Sequence, residues 1–268
     1  MELPDLLEDN IDSYAELAFG RSNFYFFLSS VFLKPPTTDI IKMLTELTNS
    51  PESSNFVSKQ TADSLSRMGI INNEQVRLPL AATFKLPSRK RGWGCVKENL
   101  HTPLSPPPVP LREGEKGGGE SQKIEIPERE LENLVQEYHD LFKVPLSKYV
   151  APYESVYRDG HLHGQSALKV KEIYNRLGFQ IPHEYHELSD HIGIELAFMA
   201  TLCKEEHKAW KEKNVKLARS LWEIEEKFLK EHITCWLPKL CNTICEKTKV
   251  NFYICMAEIT LDFVQSDI

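Results

Sequence analysis

The 268-residue sequence has no apolar run long enough to cross a bilayer. Its most apolar early stretch, Phe19 to Leu33, is about 15 residues long and carries Arg21 and Asn23, where a span needs roughly 20. Basic residues are in deficit: 32 Lys and Arg against 39 Asp and Glu give a net charge of −7. That balance argues against a nucleic-acid binder, because phosphate attraction needs a basic face. Neither G-x-G-x-x-G nor a phosphate loop occurs, and none of the six cysteines forms a C-x-x-C pair. The residues ahead of Phe19 (Glu2, Asp5, Glu8, Asp9, Asp12, Glu16) are acidic where a secretory signal is basic. The expectation is a cytoplasmic protein with no stable membrane insertion, its thiols reduced and mostly buried on helices. Cys241 and Cys245 stand one helical turn apart, but two ligands do not close a zinc site.

One segment differs from the rest in composition. Residues 79–127 hold eight of the 16 prolines and six of the 12 glycines, including the run Pro106-Pro107-Pro108-Val109-Pro110. Proline removes backbone donors and glycine raises the entropy cost of order, so this stretch reads as an exposed insertion or linker. Between Pro87 and Lys123, seven Lys/Arg face four Glu, a balance of +3 that takes the remainder of the chain from −7 to −10. The division expected is an N-terminal helical part (1–78), the insertion (79–127) and a C-terminal helical part (128–268).

Outside the insertion the apolar spacing is helical. Tyr14, Leu17, Ala18, Phe24, Phe27, Leu28, Val31 and Phe32 predict a helix ended by Pro35-Pro36, and Ile40, Ile41, Leu44 and Leu47 a second one closed by Pro51. Leu131 to Phe142 predict another, between Pro127 and Pro145, and Val170 to Leu177 one more with Gly178 at its C-terminus. Ile192, Leu196, Met199 and Leu202 form one stripe; Leu217, Leu221, Ile224, Phe228 and Cys235 form the next; Leu240 to Phe263 complete two shorter helices. No stretch alternates apolar and polar residues over a strand's length. The fold class is all-α, one globular helical domain with a long Pro/Gly-rich insertion.

The densest chemistry lies in His183-Glu184-Tyr185-His186-Glu187-Leu188-Ser189-Asp190-His191. A zinc hydrolase of the H-E-x-x-H kind needs histidines one turn apart with a glutamate between them, and here they are three apart with the second glutamate after them. Asp190 precedes the apolar run from Ile192 and reads as the N-cap of that helix, which puts His191 in its first turn. Were the helix to begin earlier, Glu187 and Glu195 would each lie one turn from His191 on a shared face. Capping and ligand binding do not exclude each other. A histidine pair in Gly160-His161-Leu162-His163-Gly164 and the basic Arg89-Lys90-Arg91 with Trp93 read as solvated loops, and Glu98/His101, the one Glu-x-x-His pair, falls in the insertion. Around Cys95 no recognisable nucleophile motif occurs, so nucleophilic catalysis has no specific support.

Five ordered motifs carry a resemblance. They are Tyr138-x-x-Leu141-Phe142; Pro152-Tyr153-Glu154-Ser155-Val156-Tyr157; Tyr174-x-x-x-Gly178-Phe179; Glu187-x-x-Asp190-His191-Ile192-Gly193-Ile194-Glu195; and Phe228-Leu229-x-x-His232-x-x-x-Trp236-Leu237-Pro238. From about Glu130 to the C-terminus the chain resembles the TorD/DmsD/NarJ family of redox-enzyme maturation chaperones, nearest its TorD-like branch. Ala151-Pro152 stands where the family has a doubled proline.

The resemblance implies an all-helical protein without catalysis and without a cofactor of its own, monomeric or dimeric. Its partner would be the apo form of a molybdopterin-dependent oxidoreductase subunit, often bound at a twin-arginine signal peptide until cofactor insertion and export. Glu187, Asp190 and His191 then map to the client-binding surface, with Glu195 beside them. Tyr138, Leu141, Phe142, Pro152, Tyr153, Glu154 and Tyr157 map to mainly structural positions. The alternative from another class is a metal-dependent hydrolase built around His183, His186 and Asp190.

Overall fold

The computed structural model describes residues 11–41, 128–146 and 148–268. Among these, α1 spans Ile11–Leu33, α2 Glu128–Phe142, α3 Glu154–Arg158, α4 Gln165–Leu177, α5 Ile192–Lys211, α6 Val215–Phe228, α7 Thr234–Lys247 and α8 Asn251–Ser266. A π-helical turn, Leu229–Ile233, joins α6 to α7. The described residues contain no strand, and their one isolated β-bridge pairs Tyr153 with His191. A helix begins at residue 38; the remainder of the helix expected there (Leu44, Leu47), Cys95, Arg89-Lys90-Arg91, Glu98/His101 and the insertion at 79–127 lie outside the described residues.

Helix α5 is the centre. The sequence predicts a single apolar stripe, yet every residue from Ile192 to Cys203 is buried. A helix apolar all round has to be enclosed on every side, and α1, the helix packed most extensively against α5, supplies the largest cover. The Leu33 side chain packs directly on Gly193: a Cβ there would stand 2.5 Å from Leu33 Cγ. Ser29 Oγ donates to Gly193 O at 2.7 Å and Ser22 Oγ to Ala200 O at 2.8 Å, pinning α1 along α5. Tyr138 on α2 donates its hydroxyl to Phe32 O at 3.0 Å, and Tyr253 on α8 donates to Leu134 O at 2.6 Å. One apolar core therefore includes α1 and the helices after residue 127.

A charge cluster crosses this core. Arg21 of α1 reaches Glu206 at 2.9 Å, Glu225 at 2.6 Å and Asp267 at 2.7 Å, and Tyr25 donates to Asp267 at 2.6 Å. One guanidinium thus gathers acidic side chains from α5, α6 and the C-terminal end. Burial, with help from Glu206 and Asp267 against the opposing pull of Arg21, lifts the Glu225 carboxyl to about 8.

The stripe expected to run from Leu217 to Cys235 breaks at the π-helical turn. An extra residue per turn shifts the phase, so Phe228 and Leu229 are buried while Cys235 is exposed. Pro238 follows inside α7, where it has no N–H for Thr234 O. Gly178 ends α4 in the left-handed region at φ 73. Cys203, Cys241 and Cys255 are buried, Cys245 is half-buried and Cys235 exposed, all on helices.

Candidate functional site

Two of the motifs meet back to back. Pro152-Tyr153-Glu154-Ser155 leads into α3 and Asp190-His191-Ile192 leads into α5, and the backbones of these two segments bridge each other. Glu154 N donates to Asp190 O and Ile192 N to Pro152 O, both at 2.9 Å. Asp190 does not cap the helix that follows it; its Oδ2 accepts from Ser155 N at 2.9 Å, in the first turn of α3. His191 is itself the N-cap of α5, its Nδ1 accepting from Gly193 N at 3.0 Å. Residues 181–190 are loop, so the earlier helix start does not occur.

Burial corrects the expected surface. Asp190, His191 and Glu195 are each fully buried, and only Glu187 of the four reaches solvent, with 14% of its side chain exposed. The physical reason is the double role of this loop: its polar groups satisfy helix termini that would otherwise be orphaned inside the protein. Glu195 points inward, accepting from Trp236 Nε1 at 3.2 Å. Burial first, then the neighbouring Glu154 and Asp190 carboxylates, hold its carboxyl well above the usual range and favour its protonated form. Glu154 accepts from His232 Nδ1 at 3.0 Å and from Arg158 one turn on, and His232 stacks on Phe228.

Glu187 is the outward end of this arrangement. Tyr153 donates its hydroxyl to Oε2 at 2.7 Å, and the Lys143 ammonium donates to Oε1. Burial would raise the Glu187 pKa; the Lys143 and Tyr153 bonds and the His191 ring outweigh that and lower it, so the side chain is a carboxylate. His191 Nε2 stands 4.0 Å behind it. Burial pushes the His191 imidazole down to about 4, so at neutral pH the ring is uncharged. The loop that carries Lys143 also exposes Val144 (37%) and Leu146 (74%). Lys34, just past the end of α1, bonds Glu184 and covers the Tyr185 ring on the next stretch of the same surface.

Of the structural positions, Tyr138, Leu141, Phe142, Pro152 and Glu154 are buried, and Tyr157 packs on Trp236 at 5.4 Å between ring centroids. The histidine–acid cluster does not assemble as a hydrolase centre: His183 and His186 are exposed while Asp190 is enclosed with Ser155. Among the described residues no three His, Cys, Asp or Glu side chains are grouped to hold a metal. Lys143 was not singled out by the sequence; its place directly after the Tyr138-x-x-Leu141-Phe142 motif was the available signal. Arg158 could have been found from its spacing of four from Glu154.

Residues 119–242 match the family model described as nitrate reductase delta subunit. The chain is 28% identical over 135 residues to the chaperone protein TorD of Vibrio cholerae serotype O1, covering 50% of this chain and 60% of that protein. It is 25% identical over 149 residues to TorD of Shewanella pealeana (52% of this chain, 61% of that protein) and 30% over 154 residues to TorD of a Psychrobacter species (54% and 65%). The chain thus spans about three fifths of the length of the curated relatives it matches. No solved structure matches. Among the described residues no helix is long and apolar enough to cross a membrane.

Proposed function

We propose that this chain, similar to TorD chaperones over half its length, is a member of the TorD/DmsD/NarJ family of redox-enzyme maturation chaperones that transforms no substrate and binds the apo form of a molybdopterin-dependent oxidoreductase subunit. The contact is a basic-then-apolar segment of the client, of the twin-arginine signal peptide kind. It is held in the cytoplasm until molybdopterin is inserted and the client is exported. The observation that carries this reading is Glu187, a partly exposed carboxylate held between Tyr153 and Lys143, with Val144 and Leu146 exposed on the loop that carries Lys143.

The chemistry of such a segment is two guanidinium groups followed by about 7–15 apolar residues. Glu187 supplies a charge-assisted bond of about 1.5–3 kcal/mol where water is partly excluded. Covering about 300 Å² of apolar peptide contributes roughly 7 kcal/mol before ordering costs. The chain's charge of −7 adds steering that salt weakens. Asp190, His191 and Glu195 serve this function from the inside, by fixing the loop on which Glu187 stands.

Titration of a synthetic twin-arginine peptide against the wild type and Glu187→Gln tests the reading. The expected result is a loss of about tenfold or more in affinity. Equal affinities from two folded proteins remove Glu187 from the mechanism. The match of residues 119–242 to the nitrate reductase delta subunit model supports a second reading, an assembly factor for a client without an export signal. In that case the isolated peptide does not bind and the apo catalytic subunit does.

A further inference from the structure

Both oxygens of Glu187 are already occupied. Lys143 donates to Oε1, and Tyr153 donates to Oε2 at 2.7 Å. Lys143 is an exposed side chain at the end of α2, its ammonium 5.7 Å from the Tyr138 ring centroid. Behind the carboxylate, His191 Nδ1 accepts from Gly193 N, which places the proton of the neutral ring on Nε2. That Nε2–H is buried, has no hydrogen-bond partner, and stands 4.0 Å from Glu187 Oε2, beyond bonding distance. The outer cation is therefore easy to remove, while an unused donor waits on the inner side.

We propose that Lys143 occupies the seat of a ligand cation on Glu187, and that an arginine side chain of the client displaces it while Tyr153 and His191 retain the carboxylate from within. The inference rests on the client-binding reading above and adds a determinant of specificity to it. Of the two partners only Lys143 is open to water, with 34% of its side chain exposed against 14% for Glu187, so the ammonium can leave into solvent while the carboxylate stays. A guanidinium brings a planar fork that engages both carboxylate oxygens, which a point-charge ammonium does not. Exchange thus favours arginine, whereas a client lysine merely replaces one ammonium by another. A shift of Glu187 toward His191 upon exchange gives the orphaned Nε2–H its acceptor. Burial and this carboxylate raise the phenols of Tyr138 and Tyr149, which carry no charge at neutral pH.

Two variants at this exposed position separate exchange from simple electrostatics. Lys143→Met empties the seat; Lys143→Arg keeps the charge but fills the seat with a competing fork. Calorimetric titration uses a peptide with two adjacent arginines followed by an apolar stretch, and the same peptide with both arginines changed to lysine. Lys143→Met should bind the arginine peptide about two- to fivefold tighter than wild type. Lys143→Arg should bind it more weakly, and wild type should prefer arginine over lysine. If wild type binds the arginine peptide but Lys143→Met is no tighter and Lys143→Arg no weaker, the exchange is overturned and the client reading stands. A wild type that binds neither peptide overturns the peptide reading and the exchange with it.

Discussion

Asp190 caps a helix 35 residues upstream of itself, its Oδ2 accepting from Ser155 N at 2.9 Å. The backbone repeats the link, since Glu154 N donates to Asp190 O. A five-residue helix such as α3 is too short to persist alone. It is held by the loop that also starts α5, so the two helix N-termini are fixed as one unit. Tyr153, whose hydroxyl holds Glu187, is the N-cap residue of α3 and takes its position from that unit.

Removing the Asp190 carboxylate should loosen the unit. Asp190→Ala leaves Ser155 N without its acceptor in the interior and is expected to lower stability by about 1–3 kcal/mol. Asp190→Asn, which keeps an acceptor oxygen, should lose less. Urea unfolding of the two variants measures the difference. Equal losses would show that the charge, and not the cap, is what matters.

The crossing of α1 over α5 makes a second demand. Gly193→Ala puts a Cβ 2.5 Å from Leu33 Cγ, and the overpacking is expected to cost about 1–3 kcal/mol. Alanine's better helix propensity offsets part of that. Adding Leu33→Ala should relieve the clash, so the double variant should be more stable than the sum of the two single losses implies. Additive losses in thermal or urea unfolding would mean that the helices simply move apart.

The helices were legible because their signals are local. Pro35-Pro36 bounds α1, Gly178 ends α4, and the 3.6-residue spacing of Leu131 to Phe142 marks α2. The enclosure of α5 was not: a stripe of Ile192, Leu196, Met199 and Leu202 does not say that Ala200 and Thr201 on the other side are covered too. Nor does linear order reveal that Asp190 turns back to Ser155 rather than forward to α5. At the site, the motif Glu187-x-x-Asp190-His191 marks the loop, but which member faces water is decided by the pairing with residues 152–155. That pairing is long-range. Lys143 carries no pattern of its own and becomes visible through its bond to Glu187.

Two buried groups give the fold opposite dependences on pH. His191 has its pKa lowered by burial from 6.5 to about 4, so the unfolded chain binds that proton first. Its contribution is present above 6.5 and is lost as pH falls toward 4. Glu225, raised from 4.5 to about 8, holds a proton that the unfolded chain releases. Its contribution is present below 4.5 and is lost as pH rises through 8. The two oppose each other at mildly acidic pH. Between 6.5 and 8 His191 is silent and Glu225 governs this balance, with a fall of up to about 2 kcal/mol. Glu225→Gln keeps the shape and the acceptor for Arg21, and should flatten the fall. Unfolding in urea across that window decides it, since an equal decline in wild type and variant would take the proton off Glu225.

Glu195 offers the sharpest separation of structural from binding roles. Its carboxyl is buried against the Trp236 indole and near the Glu154 and Asp190 carboxylates, which favours its protonated form. Glutamine copies a neutral carboxyl: its oxygen can accept from Trp236 Nε1 and its amide can donate to Glu154. Glu195→Gln is therefore expected to lie within about 0.5 kcal/mol of wild type, whereas Glu195→Ala strands the indole N–H and should cost about 1–3 kcal/mol. Because the side chain does not reach solvent, peptide affinity should be the same for Glu195→Gln and wild type, in contrast to the loss expected for Glu187→Gln. A large loss of stability in Glu195→Gln would mean that the carboxyl is ionised in the fold. A loss of affinity in a stable Glu195→Gln protein would mean that client binding opens this interior and uses the buried acid directly.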